Sequence, residues 1–141
     1  MFIFYYAVLS EVSPPTALSP FAATDITGGN PYRTTMQSWK YTLPAFVVPF
    51  MFVLDPAGLG LLLKGSWQDI TLSSLTAMVG IAALAAGAQN WALKRCNPVE
   101  RWLFIVAGLL LVYPNPLFDA VGAGLTFAVL VMQKLRKEKT P

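Results

Sequence analysis

The spacing of charge constrains this chain more than any other feature. Between Asp69 and Lys94 lie 24 uncharged residues. A helix needs about 20 apolar residues to cross the hydrocarbon core of a bilayer. Ile70–Leu93 therefore reads as a transmembrane helix, with its Thr- and Ser-rich start at the interface. Between Lys40 and Lys64 only Asp55 interrupts 23 residues. Leu43–Leu54 with Leu59–Leu63 thus predicts a second span, kinked or ended at Asp55-Pro56. Trp102–Gln133 carries one charge, Asp119, and is split at Tyr113-Pro114-Asn115-Pro116. Two prolines cannot continue a helix, so this stretch predicts a helical hairpin. Its first arm, a dozen residues at 1.5 Å each, covers only about 18 Å. That arm either begins before Trp102 or does not cross fully. Hydrophobic residues make up 55% of the 141 and charged residues 12%. That is about half the charge fraction of an average soluble domain.

The N-terminal stretch differs. Met1–Leu9 and Ala17–Ile26 are apolar, but neither alone reaches a span. Between them lies Glu11-Val12-Ser13-Pro14-Pro15-Thr16. Prolines there remove amide donors and leave carbonyls unpaired, which lipid penalises by several kcal/mol each. Such breaks are tolerated where the backbone lines a cavity, and broken helices gather carbonyls around coupling ions. The hydroxyls of Ser13 and Thr16 add oxygens suited to a hard cation such as sodium. The competing reading is an ordinary surface loop between two short helices. Glu11 and Asp25 flank the break; Asp25 reads as interfacial, and Glu11 stands between an interfacial and a membrane-buried role. Thr27-Gly28-Gly29-Asn30-Pro31 is a turn, and Tyr32–Tyr41 an amphipathic lead-in helix. Asp119 is expected to cap a helix after Pro116, and Asp55 to be a turn residue. The fold class expected is all-α: an integral membrane protein with a Pro-Pro broken helix and about four transmembrane helices. It divides into residues 1–63, from the broken helix to the first span, and a helical extension, 64–141, with a basic tail.

Lysine and arginine placement orients the chain. With Leu43–Leu63 running outward, Arg33, Lys40, Lys94, Arg95, Arg101, Lys134, Arg136, Lys137 and Lys139 fall inside, and only Lys64 falls outside. This satisfies the positive-inside rule and puts the C-terminus in the cytoplasm. The basic tail reads as a topology anchor. Trp39, Tyr41, Trp67, Trp91, Trp102 and Tyr113 read as interfacial belts, not as platforms for nucleic acid.

Several chemistries are excluded. There is no histidine, so His-based triads and His-ligated metal sites are out. Cys96 is the only cysteine, so no internal disulfide or CxxC site exists. No Walker or GxSxG motif occurs, and Gly58-Leu59-Gly60 lacks the third glycine of a dinucleotide loop. Gly80, Ala83 and Gly87 give the Ile70–Leu93 helix a small-residue face for packing, within this protein or in a dimer. The chain is not expected to be an enzyme or to hold an organic cofactor.

The run Met1–Leu18, with its Ser10-Glu11-Val12-Ser13-Pro14-Pro15-Thr16 core, resembles a known family. So do Gly28-Gly29-Asn30-Pro31-Tyr32-Arg33-Thr34-Thr35 and Leu43-Pro44-Ala45-Phe46-Val47-Val48-Pro49-Phe50-Met51-Phe52. The family is the large membrane subunit of tripartite ATP-independent periplasmic (TRAP) transporters, in the form fused to the small subunit. The likeness is close over roughly residues 1–60; the later helices match only in pattern. It implies a bacterial inner-membrane, multi-pass permease that takes a small organic acid from a periplasmic binding protein, driven by sodium or proton entry. It further implies that the Pro-Pro segment lies beside a coupling cation and one side of the substrate pocket. Glu11, Val12, Ser13, Pro14, Pro15 and Thr16 would then form that neighbourhood, with sodium possible at Ser13 and Thr16. The family often has threonine at the Ser13 position, which keeps the hydroxyl, and valine at the Thr16 position, a departure here. The resemblance makes this chain the C-terminal portion of a permease, not competent alone, with the rest of the permease or a small membrane subunit as partner. The alternative is a stand-alone small membrane accessory or assembly subunit.

Overall fold

The structure, a computed structural model, describes residues 1–54, 56–113 and 115–136. The turn role expected of Asp55 and the tail cations Lys137 and Lys139 lie outside the described residues. No β-strand occurs among the described residues. The described residues form seven α-helices in order: α1 Phe2–Leu9, α2 Leu18–Thr27, α3 Pro31–Thr42, α4 Val48–Met51, α5 Trp67–Gln89, α6 Pro98–Val112 and α7 Pro116–Leu135. Short 3-10 segments cover Ser10–Val12, Leu43–Val47 and Pro56–Leu62.

Three helices begin at the same dipeptide. Asn30-Pro31, Asn97-Pro98 and Asn115-Pro116 each place asparagine at the cap and proline in the first turn. Proline is suited there because its missing N–H would be unpaired anyway. The Asn30 side chain accepts from Arg33 N at 3.1 Å, and Asn115 from Leu117 N at 3.0 Å. Asn115, not Asp119, therefore caps α7. Asp119 lies in the first turn, but its Oδ1 has no hydrogen-bond partner among the described residues. Helix α5 starts differently: Ser66 Oγ accepts from Asp69 N, and Asp69 Oδ2 accepts from Ser66 N, each at 3.3 Å. This reciprocal pair is a capping box. The helix stops at Asn90, whose left-handed φ of 61° ends it four residues before Lys94.

The span expected over Leu43–Leu63 is not one helix. Its turns are split by Pro44, Pro49 and Pro56, each of which removes a backbone donor. The chain doubles back so closely that a Cβ on Gly58 would overlap the Met51 carbonyl. The short pieces of the segment pack against α5. The short hairpin arm does begin before Trp102, at Pro98. Its 15 residues rise about 22 Å. Helices α5 and α7, with mean hydropathy 1.8 and 1.5, are the two described helices long and apolar enough to cross a membrane. Only 33% and 22% of their apolar windows are buried, whereas the core helix of a soluble domain would be mostly covered. The broken helix and four full spans expected from sequence are not established by these elements.

Helix α6 is the hub and packs on both α5 and α7. Phe104, Ala107 and Leu111 are at most 1% exposed. Glycines allow the close crossings: a Cβ on Gly108 would lie 2.9 Å from the Gly80 carbonyl oxygen, and one on Gly122 2.9 Å from that of Ala107. The small-residue face of α5 is thus used inside this chain. The N-terminal helices attach through aromatic packing. Phe2 and Tyr6 sit against Phe50, and Tyr6 Oη donates to the Phe46 carbonyl at 2.6 Å. Gln89 Nε2 donates to the Lys40 carbonyl at 3.2 Å, tying α5 to α3.

Candidate functional site

Helices α1 and α2 are separated by the Pro14-Pro15 turn. Ser13 is extended, with φ −114° and ψ 143°, as expected of a residue before proline. Ala17 is fully buried and left-handed, with φ 34°. The Ser10 carbonyl, four residues before Pro14 and so denied its helical donor, is capped from within the turn. Thr16 Oγ1 donates to Ser10 O at 2.6 Å and approaches Ser13 O at 3.3 Å. Ala17 N also donates to Ser13 O, at 2.9 Å. Two carbonyl oxygens and one hydroxyl oxygen therefore gather in seven residues, Ser10 to Thr16. Hard cations take such donors, so the set fits sodium in chemistry. The Thr16 proton lies between the carbonyls, so that hydroxyl must turn before a cation could share them. Ser13 Oγ has no hydrogen-bond partner among the described residues, which leaves it the freer donor to an ion. Val12 and Ser13 are half-buried, whereas Glu11, Pro14, Pro15 and Thr16 are exposed. Asp25 is exposed on α2, as expected.

A cleft of about 480 Å³ opens between this turn and the α2–α3 corner. Pro14, Pro15 and Ala17 form one wall, and Asn30 and Thr35 belong to the other side. Glu11, Val12, Ser13 and Thr16 do not line it. The structure thus separates the expected residues into two cleft-lining prolines and a turn beside them. Thr35, absent from the sequence expectation, is 4% exposed, and its Oγ1 has no partner among the described residues. Other helical threonines behave differently. Thr34, Thr42 and Thr126 each donate to the carbonyl four residues back. A buried hydroxyl left unpaired costs about 1–3 kcal/mol. Nothing in the Thr34-Thr35 pair itself marks one as buried and unpaired; only the packing of α3 against the turn does so.

A second polar cluster joins the ends of α5, α6 and α7. Glu100, 5% exposed, accepts from Asn97 N at 2.8 Å, Gln133 Nε2 at 3.1 Å and Arg136 Nη1 at 2.9 Å. Arg136 Nη2 donates to Arg95 O, and Lys94 Nζ to Arg136 O, both at 2.6 Å. Gln133, fully buried, accepts from Leu93 N at 3.2 Å. Every member has partners, so the cluster is a clasp and offers no open position for a substrate. Its sequence signal was the Asn97-Pro98-Val99-Glu100 start, with an acid at the third helical position.

No family model, curated protein or solved structure matches the chain. The functional reading therefore stands on the residues and geometry above.

Proposed function

We propose that this chain is part of a secondary-active TRAP-type permease that imports a small organic acid with sodium or proton coupling. In this reading the segment from α1 to α2 is a broken membrane helix, and the Pro14-Pro15 turn faces the transported ions. The observation that carries it is the cleft walled by that turn, into whose lining the fold commits a buried, unpaired hydroxyl, Thr35. Folding does not ordinarily leave such a group unsatisfied, and a ligand or an opposing segment of the permease would satisfy it. Ser13, with the carbonyls beside it, supplies the cation ligands; Val12 contributes backbone oxygen, and Thr16 joins once its hydroxyl turns. Glu11, exposed beside the turn, is the group that would carry a proton if protons replace sodium. A periplasmic binding protein delivers the substrate, and the rest of the permease supplies the opposing half of the pocket. Inverted-repeat transporters build their site between two repeats, so this chain alone is not expected to transport.

The test uses a complete permease containing this segment, reconstituted in proteoliposomes. Ser13→Ala should weaken the sodium dependence of uptake, and Thr35→Val should lower uptake without lowering the amount of folded protein. Unchanged uptake and sodium dependence in both variants would sink the reading. One observation favours the runner-up, a stand-alone accessory subunit: α5, α6 and α7 close on one another through the Glu100 clasp. That reading expects stable insertion of this chain by itself and no effect of Ser13→Ala on any partner's transport.

A further inference from the structure

Helices α5 and α7 both pack on α6 but barely on each other, and an apolar groove of about 620 Å³ lies between them. Ala82, Ala86, Phe104 and Leu130 line it, and Trp91 stands at its end. Its volume falls within the roughly 300–1,000 Å³ of sites that hold small ligands.

Two features of the groove select its occupant. The first is length. Along α5 it runs from Val79 to Gln89, ten steps or about 15 Å. That is half of the hydrocarbon thickness of about 30 Å. A neighbouring transmembrane helix would need a seam through both leaflets, whereas one acyl chain needs only one. The second feature is charge. On α7, Thr126 and Leu130 line the groove, and the same four-residue step continues to Lys134, which is exposed. On the α5 side, Trp91 bridges Arg95 through the backbone, and Arg95 is also exposed. Neither cationic side chain has a partner among the described residues, unlike Lys94 and Arg136 in the clasp. The Val79 end of the groove thus lies near the middle of α5, and at its other end the chain continues from the lining residues to Trp91 and to two cations without partners among the described residues.

We propose that this groove is a binding site for one anionic phospholipid, with an acyl chain between α5 and α7 and its phosphate beside Lys134 and Arg95. The proposal rests on α5 and α7 lying in a bilayer and is independent of the transport reading.

The test uses the full chain in zwitterionic micelles, titrated with phosphatidylglycerol or phosphatidylcholine carrying dibrominated acyl chains. Tryptophan quenching is read, and Trp91→Phe isolates the Trp91 component. Brominated phosphatidylglycerol should quench Trp91 at a lower mole fraction than the zwitterionic lipid, by roughly fivefold for each of the two cations. Lys134→Gln with Arg95→Gln, both surface changes, should abolish that preference, and Ala86→Leu should block quenching by filling the groove. Equal quenching by the two lipids would overturn the proposal, as would a preference that survives removal of both cations. So would a Trp91 that neither lipid reaches because a second copy, detected by cross-linking across the groove, covers it.

Discussion

Replacing Gly108 by alanine tests whether the α5–α6 crossing is as close as the structure places it. The new Cβ would stand 2.5 Å from Leu84 Cγ and 2.9 Å from the Gly80 carbonyl oxygen. Leu84 can rotate, but the carbonyl belongs to the backbone of α5 and moves only with the helix. Overpacking of this kind costs about 1–3 kcal/mol. Against it, alanine gains about 1 kcal/mol over glycine in a helix interior. The net expectation is a loss of about 0–2 kcal/mol. Gly124→Ala is the matched control, because a Cβ there meets nothing within 4 Å. It carries the same intrinsic gain with no clash, so it should stabilise by up to about 1 kcal/mol. The two variants should therefore differ by about 1–3 kcal/mol, or roughly 3–9 °C in unfolding midpoint for a chain of this length. The assay is thermal loss of helical circular dichroism in one detergent. If Gly108→Ala and Gly124→Ala shift the midpoint equally, the crossing is looser than described and the glycine argument fails.

The clasp gives a second expectation. Glu100→Ala strands Gln133, Arg136 and the Asn97 amide, and should cost toward the lower end of about 3–5 kcal/mol, because Arg136 keeps 32% exposure and can turn to water; an unchanged unfolding midpoint would remove Glu100 as a structural residue. Ser66→Ala removes one half of the α5 capping box and should cost about 0.5–2 kcal/mol. Its signature is faster amide hydrogen exchange confined to the first turn of α5, and a uniform change across the helix would contradict the local cause.

Much of the helical punctuation was legible in the sequence, because it is made by neighbours. Gly28 and Asn30-Pro31 end α2 and start α3 through contacts within four residues. The uncharged run after Asp69 specified α5, and its apolar content alone makes it long and greasy enough to cross a bilayer. The Pro14-Pro15 interruption between α1 and α2 was visible for the same local reason: proline cannot continue the hydrogen-bond ladder.

Tertiary structure decided the rest. Hydropathy counts residues and not turns, so it does not show that Leu43–Leu63 is divided into short pieces that pack on α5, with Gly58 brought against Met51. Asp119 and Asn115 are both capping residues by type, and only the helix start at Pro116 assigned the role to Asn115. Thr16 turned out to cap the Ser10 carbonyl, which Pro14 would have stranded, and this depends on the path of the turn. Thr35 and Glu100 became important through burial, a property set by what packs over them from distant positions in the chain. Local rules thus determined where helices begin, end and break. Which polar groups were left unpaired or clasped was decided by long-range packing, because desolvation depends on neighbours that sequence distance does not reveal.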